Sequence, residues 1–426
     1  MNKRILLCLA HMSESGMERK YVQEAFDTNW VVPLGPNVNA FEKDLEDFVN
    51  HIDASDGKMS LDKKVVALSS GTAAVHLALI ACGVQPGDEV LVQSFTFCAS
   101  ANPVTYLGAV PVFVDSEQGS WNMSPELLEQ AIQDRIQKMG KTPKAIIPVA
   151  LYGMPYQIEE ILKISEKYGI PVIEDAAEGF GSRYKGQVLG TFGQYGVLSF
   201  NGNKMITTSG GGALICPDQA AKDRIMFFAT QAREAYPYYQ HEEIGYNYRM
   251  SNICAGIGRG QMTVVEEHIR HHQHIQKMYE ELLKDVTGIM VHTSEQSEYE
   301  SNCWLCTIIL DENLRVKGQE NAYHQTITKA VGGAAGVLHA GSSLHTDCEP
   351  NDNVEAMRIG LDAAGIEARP LWKPMHKQPV FAHNPAYVNG VSEEKFACGL
   401  CLPSGPYVSE ENVHYIVDTI KSLIIK

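Results

Sequence analysis

Between residues 60 and 265 the chain alternates short apolar runs with longer amphipathic stretches. The runs at 64–68, 89–93, 110–114, 145–149, 172–174, 196–200 and 212–216 are rich in β-branched residues and poor in charge. That is the pattern of strands buried on both faces. Apolar positions at helical spacing separate most of them, at 73–82, 99–107, 125–137 and 157–168. Such alternation predicts a mainly parallel sheet covered by helices on both sides. Two further helices are expected ahead of it, at 17–27 and 40–49. After Met262 the pattern changes. A long amphipathic stretch, 264–283, leads into a region that reads as α+β and closes on a helix at 410–424. The expectation is an α/β protein in two parts: an N-terminal segment and large domain over 1–265, and a smaller domain over 266–426. No internal repeat is visible, and the tract Gly332-Gly-Ala-Ala-Gly-Val-Leu-His-Ala-Gly341 reads as a turn.

Composition narrows the function classes. Apolar residues are 44% and charged residues 20% of the 426 positions, as in ordinary globular proteins. The net charge of −16 argues against nonspecific nucleic-acid binding, which needs clustered positive charge. No run is long and apolar enough for a bilayer span, and the apolar stretch after Met1 is too short for a cleaved signal. The ten cysteines lie mostly inside apolar segments (Cys82, Cys98, Cys254), which fits a reducing, cytoplasmic setting. Cys303/Cys306 and Cys398/Cys401 nominally make a zinc site. Residues 302–310 read as a strand, however, on which side chains three apart face opposite ways, so buried thiols are expected and no metal. The run His268-Ile-Arg-His-His-Gln-His274 is read as a solvated helix face.

Several segments carry candidate chemistry. Ser69-Ser-Gly-Thr-Ala-Ala-Val-His follows a strand and opens a helix, a place where backbone N–H groups attract phosphate. Gly71 permits close approach and Thr72 adds a hydroxyl; the plainer reading is a helix cap. Asp175 closes a buried strand, where open α/β sheets bind ligands, or else caps the next helix. Lys204 stands in Ser199-Phe-Asn-Gly-Asn-Lys204, followed by Ser209-Gly-Gly-Gly212. A lysine, a carboxylate and a phosphate cup are what pyridoxal phosphate (PLP) requires: an amine for the Schiff base and an acid at the pyridinium nitrogen. Ser199 lies within reach of a phosphate, and Phe97 is either a ring-stacking or a core residue.

The order of these segments resembles the sugar aminotransferases of the DegT/DnrJ/EryC1/StrS family, within the aspartate aminotransferase-like fold. The similarity runs through Ser70-Gly-Thr-Ala-Ala-Val-His-Leu-Ala, Pro86-Gly-Asp-Glu-Val, Ala109-Val-Pro-Val-Phe-Val-Asp115, Glu174-Asp-Ala-Ala-Glu178, Ser199 to Lys204 and Gly245-Tyr-Asn-Tyr-Arg-Met-Ser-Asn252. It implies a large domain with a mainly parallel mixed sheet and a smaller α+β domain. It further implies that Lys204 holds PLP covalently, that Asp175 pairs with the ring nitrogen and that Phe97 stacks on the ring. Thr72, Ala73 and Ser199 match the phosphate contacts. Asn247 matches a phosphate ligand from a neighbouring subunit, which implies a homodimer with shared sites. Arg249 matches a substrate position from that subunit, and His376 a segment near the sugar nucleotide. Glu178 departs from the pattern, standing where many relatives carry Gln facing the cofactor's ring hydroxyl. Lys204 is retained, whereas sugar dehydratases of the family replace it with His.

The opening from His11 to Glu42 resembles the branch that aminates C4 of a UDP-linked 4-keto-6-deoxy-HexNAc, with L-glutamate as the donor. Arg369, Trp372 and Lys373 serve either the UDP moiety or a structural loop. The alternatives are an aminotransferase for another nucleotide sugar (C3-directed, or dTDP- or GDP-linked), a PLP-dependent sugar dehydratase, and a non-enzymatic PLP-binding regulator.

Overall fold

The computed structural model describes residues 4–52, 60–294, 296–323 and 348–425, so the tract 332–341 lies outside the described residues. The seven expected strands form with their ends shifted by two residues or fewer: β1 Lys64–Leu68, β2 Glu89–Gln93, β3 Val110–Val114, β4 Ala145–Ile147, β5 Ile173–Asp175, β6 Tyr195–Ser199 and β7 Gly212–Cys216. An eighth, β8 Ala386–Tyr387, joins from far along the chain. Their order is β1-β7-β6-β5 and β4-β2-β3-β8, and the parallel bridges Ile146–Val172 and Val149–Asp175 join the two halves into one sheet. β7 runs antiparallel to both neighbours; every other pairing in this sheet is parallel. Side-chain alternation then feeds two apolar layers. Val65 and Ala67 point into one, Val66 and Leu68 into the other, and all four are buried.

Helices cover both faces. Those that bear on function are α1 Met17–Asp27, α2 Pro36–Val49, α3 Gly71–Ala81, α4 Asn252–Met262 and α5 Val265–Leu283. The expected helix at 99–107 breaks instead into a single turn, Cys98–Ser100, and a short helix, Asn102–Tyr106. Pro103 is the reason: it has no N–H to donate back to the preceding turn, so it stands in the first turn of a new helix rather than inside a longer one. A second sheet orders Ile289–Val291, Cys306–Leu310, Gly399–Leu402 and Arg369–Pro370, all antiparallel. It packs with α5 and the helix Glu410–Leu423 around a third apolar layer that includes Ile275, Ile308, Leu400 and Ile416. Met375 and Phe381 return to the large sheet's second layer beside β8. Cys303 falls outside the strand expected for it, with φ of 51°; that strand begins at Cys306. No described helix is long and apolar enough to cross a membrane.

Residues 5–10 form a strap between the two sheets. The Ile5 N–H donates to the Gly365 carbonyl at 2.9 Å, and the Ser404 N–H donates to the Leu7 carbonyl at 3.0 Å. The Ala10 N–H then donates to the Gly202 carbonyl at 3.0 Å, two residues before Lys204.

The histidine run on α5 corrects the expected solvated face. His268 and His272 are buried, and only His274 reaches outward, to Glu410 at 2.8 Å. Burial pulls the imidazoles of His272 and His292 down to about 3. Both therefore stay neutral in the folded protein, while in the unfolded chain they gain protons below about 6.5. Their contribution to stability is complete above that value and is lost as pH falls from it towards 3. Between pH ~6.5 and pH ~5 each removes roughly 2 kcal/mol. Urea unfolding at the two pH values measures the loss, and His272→Asn is expected to abolish its own share; an unchanged pH dependence in that variant contradicts the assignment.

Candidate active site

The carboxyl ends of β5 and β6 and the start of α3 converge on a cavity of about 260 Å³. In open α/β sheets this is where ligands sit. Gly71, Thr72, Phe97, Asp175, Glu178, Ser199 and Lys204, seven of the residues singled out in the sequence, all line it. A second cavity of about 290 Å³, between α5 and residues 292–307, contains none of them.

One wall is a helix start. Ser70 caps α3, its Oγ accepting the Ala73 N–H at 3.0 Å. The first-turn N–H groups of Gly71 and Thr72 have no partner within the helix and carry its positive end. Ala73 itself does not line the cavity, and its N–H is committed to Ser70. Backbone is packed tightly behind this wall. A Cβ on Gly212 would lie 2.4 Å from the Gly71 nitrogen, so only glycine lets β7 approach α3 this closely.

The opposite wall carries the charges. Asp175 is buried; its Oδ2 accepts the Ser100 hydroxyl at 2.6 Å and its Oδ1 the Ala177 N–H at 3.1 Å. Thr96 steadies Ser100 from behind, Oγ1 to Oγ at 2.8 Å. Burial pushes the Asp175 carboxyl above its usual range, while the Ser100 hydroxyl, the Ala177 N–H and the Lys204 charge pull against it. Glu178 is equally buried. Its Oε2 accepts the Tyr152 N–H at 2.8 Å and its Oε1 the Trp372 indole N–H at 3.2 Å. Burial raises its pKa too, and the Lys204 charge opposes most strongly. Lys204 Nζ stands 3.7 Å from Glu178 Oε1 and 4.2 Å from the centre of the Trp304 ring. At the mouth, Phe97 is 48% exposed and tilts against Trp372 at 5.2 Å, while Trp372 in turn stacks on Tyr152 at 6.3 Å.

Besides Ala73, the expected residues Asn247, His376 and Arg249 lie outside this cavity. Asn247 is exposed and bridges Thr230 on the segment that carries Tyr246 and Tyr248. The half-buried His376 meets Ser94 Oγ through Nδ1 at 2.7 Å, and its Nε2 lies 3.1 Å from the acceptor Glu393 Oε1, so it fixes a loop. Arg249 is paired within its own chain: its guanidinium is buried against Glu42 and donates to the Ala67 carbonyl at 3.0 Å. Glu42 also accepts the Ala67 N–H at 2.8 Å, so the pair clamps α2 to β1. Ser100, Tyr152 and Trp304 were not singled out in the sequence. Ser100 follows Phe97 by three residues, which was the available signal; Trp304 lies a hundred residues beyond Lys204 and offered none locally.

The model of the DegT/DnrJ/EryC1/StrS aminotransferase family matches residues 13–331 and 337–421. The chain belongs to this family. It is 42% identical over 99% of its length, and 96% of the other's, to EpsN of Bacillus subtilis (strain 168), an assigned pyridoxal phosphate-dependent aminotransferase. It is 33% identical to a GDP-perosamine synthase of Escherichia coli O157:H7, covering 96% of each chain. Among solved structures, a DegT DnrJ EryC1 StrS aminotransferase from Brucella abortus superposes with a TM-score of 0.79 at 27% identity, over 97% of this chain and 96% of that one. As a member of the family this chain is a PLP-dependent aminotransferase with an α/β fold. The cavity fits that cofactor: a helix start for a phosphate, a buried carboxylate for a ring nitrogen and a lysine between them.

For Arg249, the ion pair sets a measurable expectation. Arg249→Met leaves Glu42 buried without its guanidinium and is expected to cost about 3 kcal/mol of stability in chemical denaturation. The KM for the amino acceptor is expected to stay within about two-fold, since only a lost substrate contact weakens substrate binding selectively.

Proposed function

We propose that this aminotransferase moves the amino group of L-glutamate to the 4-keto carbon of a UDP-linked 4-keto-6-deoxy-HexNAc, giving a 4-amino sugar for surface glycans. One observation carries the site assignment: Lys204 and the buried Asp175 face the same glycine-walled cavity at a helix start. When bound there, PLP supplies an electron sink for the pair left on the donor's α-carbon. Lys204 would hold the cofactor through Nζ and, once freed, would carry the proton between the donor's α-carbon and the cofactor's C4′ carbon. Asp175, kept in place by Ser100, would hold the ring nitrogen protonated. Gly71, Thr72 and Ser199 would bind the phosphate, and Phe97 would lie against the ring.

We read the enzyme as a cytoplasmic homodimer in which Asn247 contributes to the partner's phosphate site. Support comes from its position, exposed and outside its own chain's cavity. The UDP-linked acceptor rests on the likeness of residues 11–42 to the C4-aminating branch. The relative named as a GDP-perosamine synthase favours a second reading, a GDP-linked acceptor. Incubating the enzyme with PLP, L-glutamate and each 4-keto sugar nucleotide in turn, read by mass spectrometry, separates them. A one-amine mass change with the UDP compound is expected; change with the GDP compound alone rejects the first reading in favour of the second.

A further inference from the structure

Lys204 is held at its charged end by two side chains that no step of the reaction has yet used. The indole of Trp304 lies across Nζ at 4.2 Å, and Glu178 Oε1 stands 3.7 Å away, at ion-pair distance. Both hosts are themselves fixed. Trp304 is buried, with its ring N–H donating to the Asn203 carbonyl at 2.6 Å and its main-chain N–H to Asn302 Oδ1 at 2.9 Å. Asn302 in turn donates to the Glu178 and Phe180 carbonyls, each at 2.9 Å, which ties the indole to the carboxylate's own backbone. Each oxygen of Glu178 accepts one N–H, from Tyr152 and from Trp372, so the group is arranged as an acceptor.

Two other titratable groups feel the Lys204 charge. Asp175 is bonded to Ser100 and the Ala177 N–H, and burial pushes the Cys8 thiol up to about 12, which leaves it a neutral thiol. Glu178 is therefore the carboxylate paired with the lysine, and Trp304 is the π face beneath it.

Building on the proposed attachment of PLP at Lys204, we propose that Trp304 and Glu178 form a dock for the Lys204 ammonium in the cofactor-free protein, before PLP is captured. They are positioning residues: they act through Lys204. An indole face and a carboxylate both favour the charged amine. Burial of the lysine side chain, 12% exposed, favours the neutral one. The dock holds the amine inside the cavity of the cofactor-free protein instead of letting it swing to solvent. It also carries a cost. Only the neutral amine attacks the cofactor's aldehyde carbon, forming the C–N bond as water leaves, so docking slows capture near neutral pH.

The test is the rate at which cofactor-free, full-length protein captures added PLP, followed by absorbance across a pH series. Glu178→Gln and Trp304→Leu are expected to move the profile to lower pH by about one unit, roughly a tenfold faster capture near neutrality. At high pH, where the amine is neutral in every protein, the rates are expected to converge. Trp304→Phe keeps a π face and is expected to stay close to the wild-type profile. Unmoved profiles in both Glu178→Gln and Trp304→Leu overturn the dock, as does a shift in Trp304→Phe equal to that in Trp304→Leu. Borohydride reduction and peptide mapping of the wild type distinguish the levels of failure. A label on Lys204 with unmoved profiles overturns the dock alone; a label elsewhere overturns the attachment reading with it.

Discussion

Lys204→Ala is expected to lower turnover by on the order of 10⁴-fold or more, because one substitution removes both the covalent anchor and the group that carries the proton. The cavity is otherwise left intact. Its helix start, Asp175 and the ring-flanking aromatics do not depend on the lysine, so the variant still binds PLP, without a covalent link. The two properties separate cleanly in measurement. Borohydride followed by peptide mapping labels the wild type on the peptide that contains Lys204 and leaves the variant unlabelled, while equilibrium dialysis finds PLP on both. Near-normal turnover in the variant sinks the assignment.

Asp175→Asn is expected to be almost as damaging, by a different route. The amide is isosteric and accepts the Ser100 hydroxyl through its oxygen, so the fold and the cavity shape persist. It carries no charge, and a cofactor nitrogen beside it has nothing to keep it protonated. Loss of a preorganised electrostatic partner in a buried site costs on the order of 10²–10³ in kcat. The KM for the amino donor is expected to change little, since the interaction strengthens as the electron pair moves into the ring. A variant with raised KM and unaltered kcat places Asp175 in substrate binding instead.

The sheet was legible because its strands are short, poor in charge and bounded by helices with their own period. The site was legible for a related reason. Asp175, Ser199 and the start of α3 sit at strand ends or helix starts, which local pattern locates, and the topology brings such ends together. What pattern cannot supply is which polar groups find each other across the chain. Arg249 pairs within its own chain with Glu42, more than two hundred residues away, a partner no local pattern announces. His272 looked solvated because its neighbours are charged, yet its Nδ1 lies 3.2 Å from the Cys303 carbonyl in a buried layer. Trp304 enters from the other side of the molecule, and its importance lies entirely in a contact of 4.2 Å. The break at Pro103 was readable from the residue itself and was passed over in favour of the apolar spacing around it.

The strap over residues 5–10 has a consequence for how the protein is made. Its hydrogen-bond partners are Gly202, then Gly365 and Ser404, so residues 5–10 find their last partner only when some four hundred further residues have been added. At ordinary rates of synthesis that interval is roughly 20–80 s. The loop bearing the reactive amine is thus secured at one end by a piece of chain whose own pairing waits for residue 404, and vitamin loading is expected to follow that step.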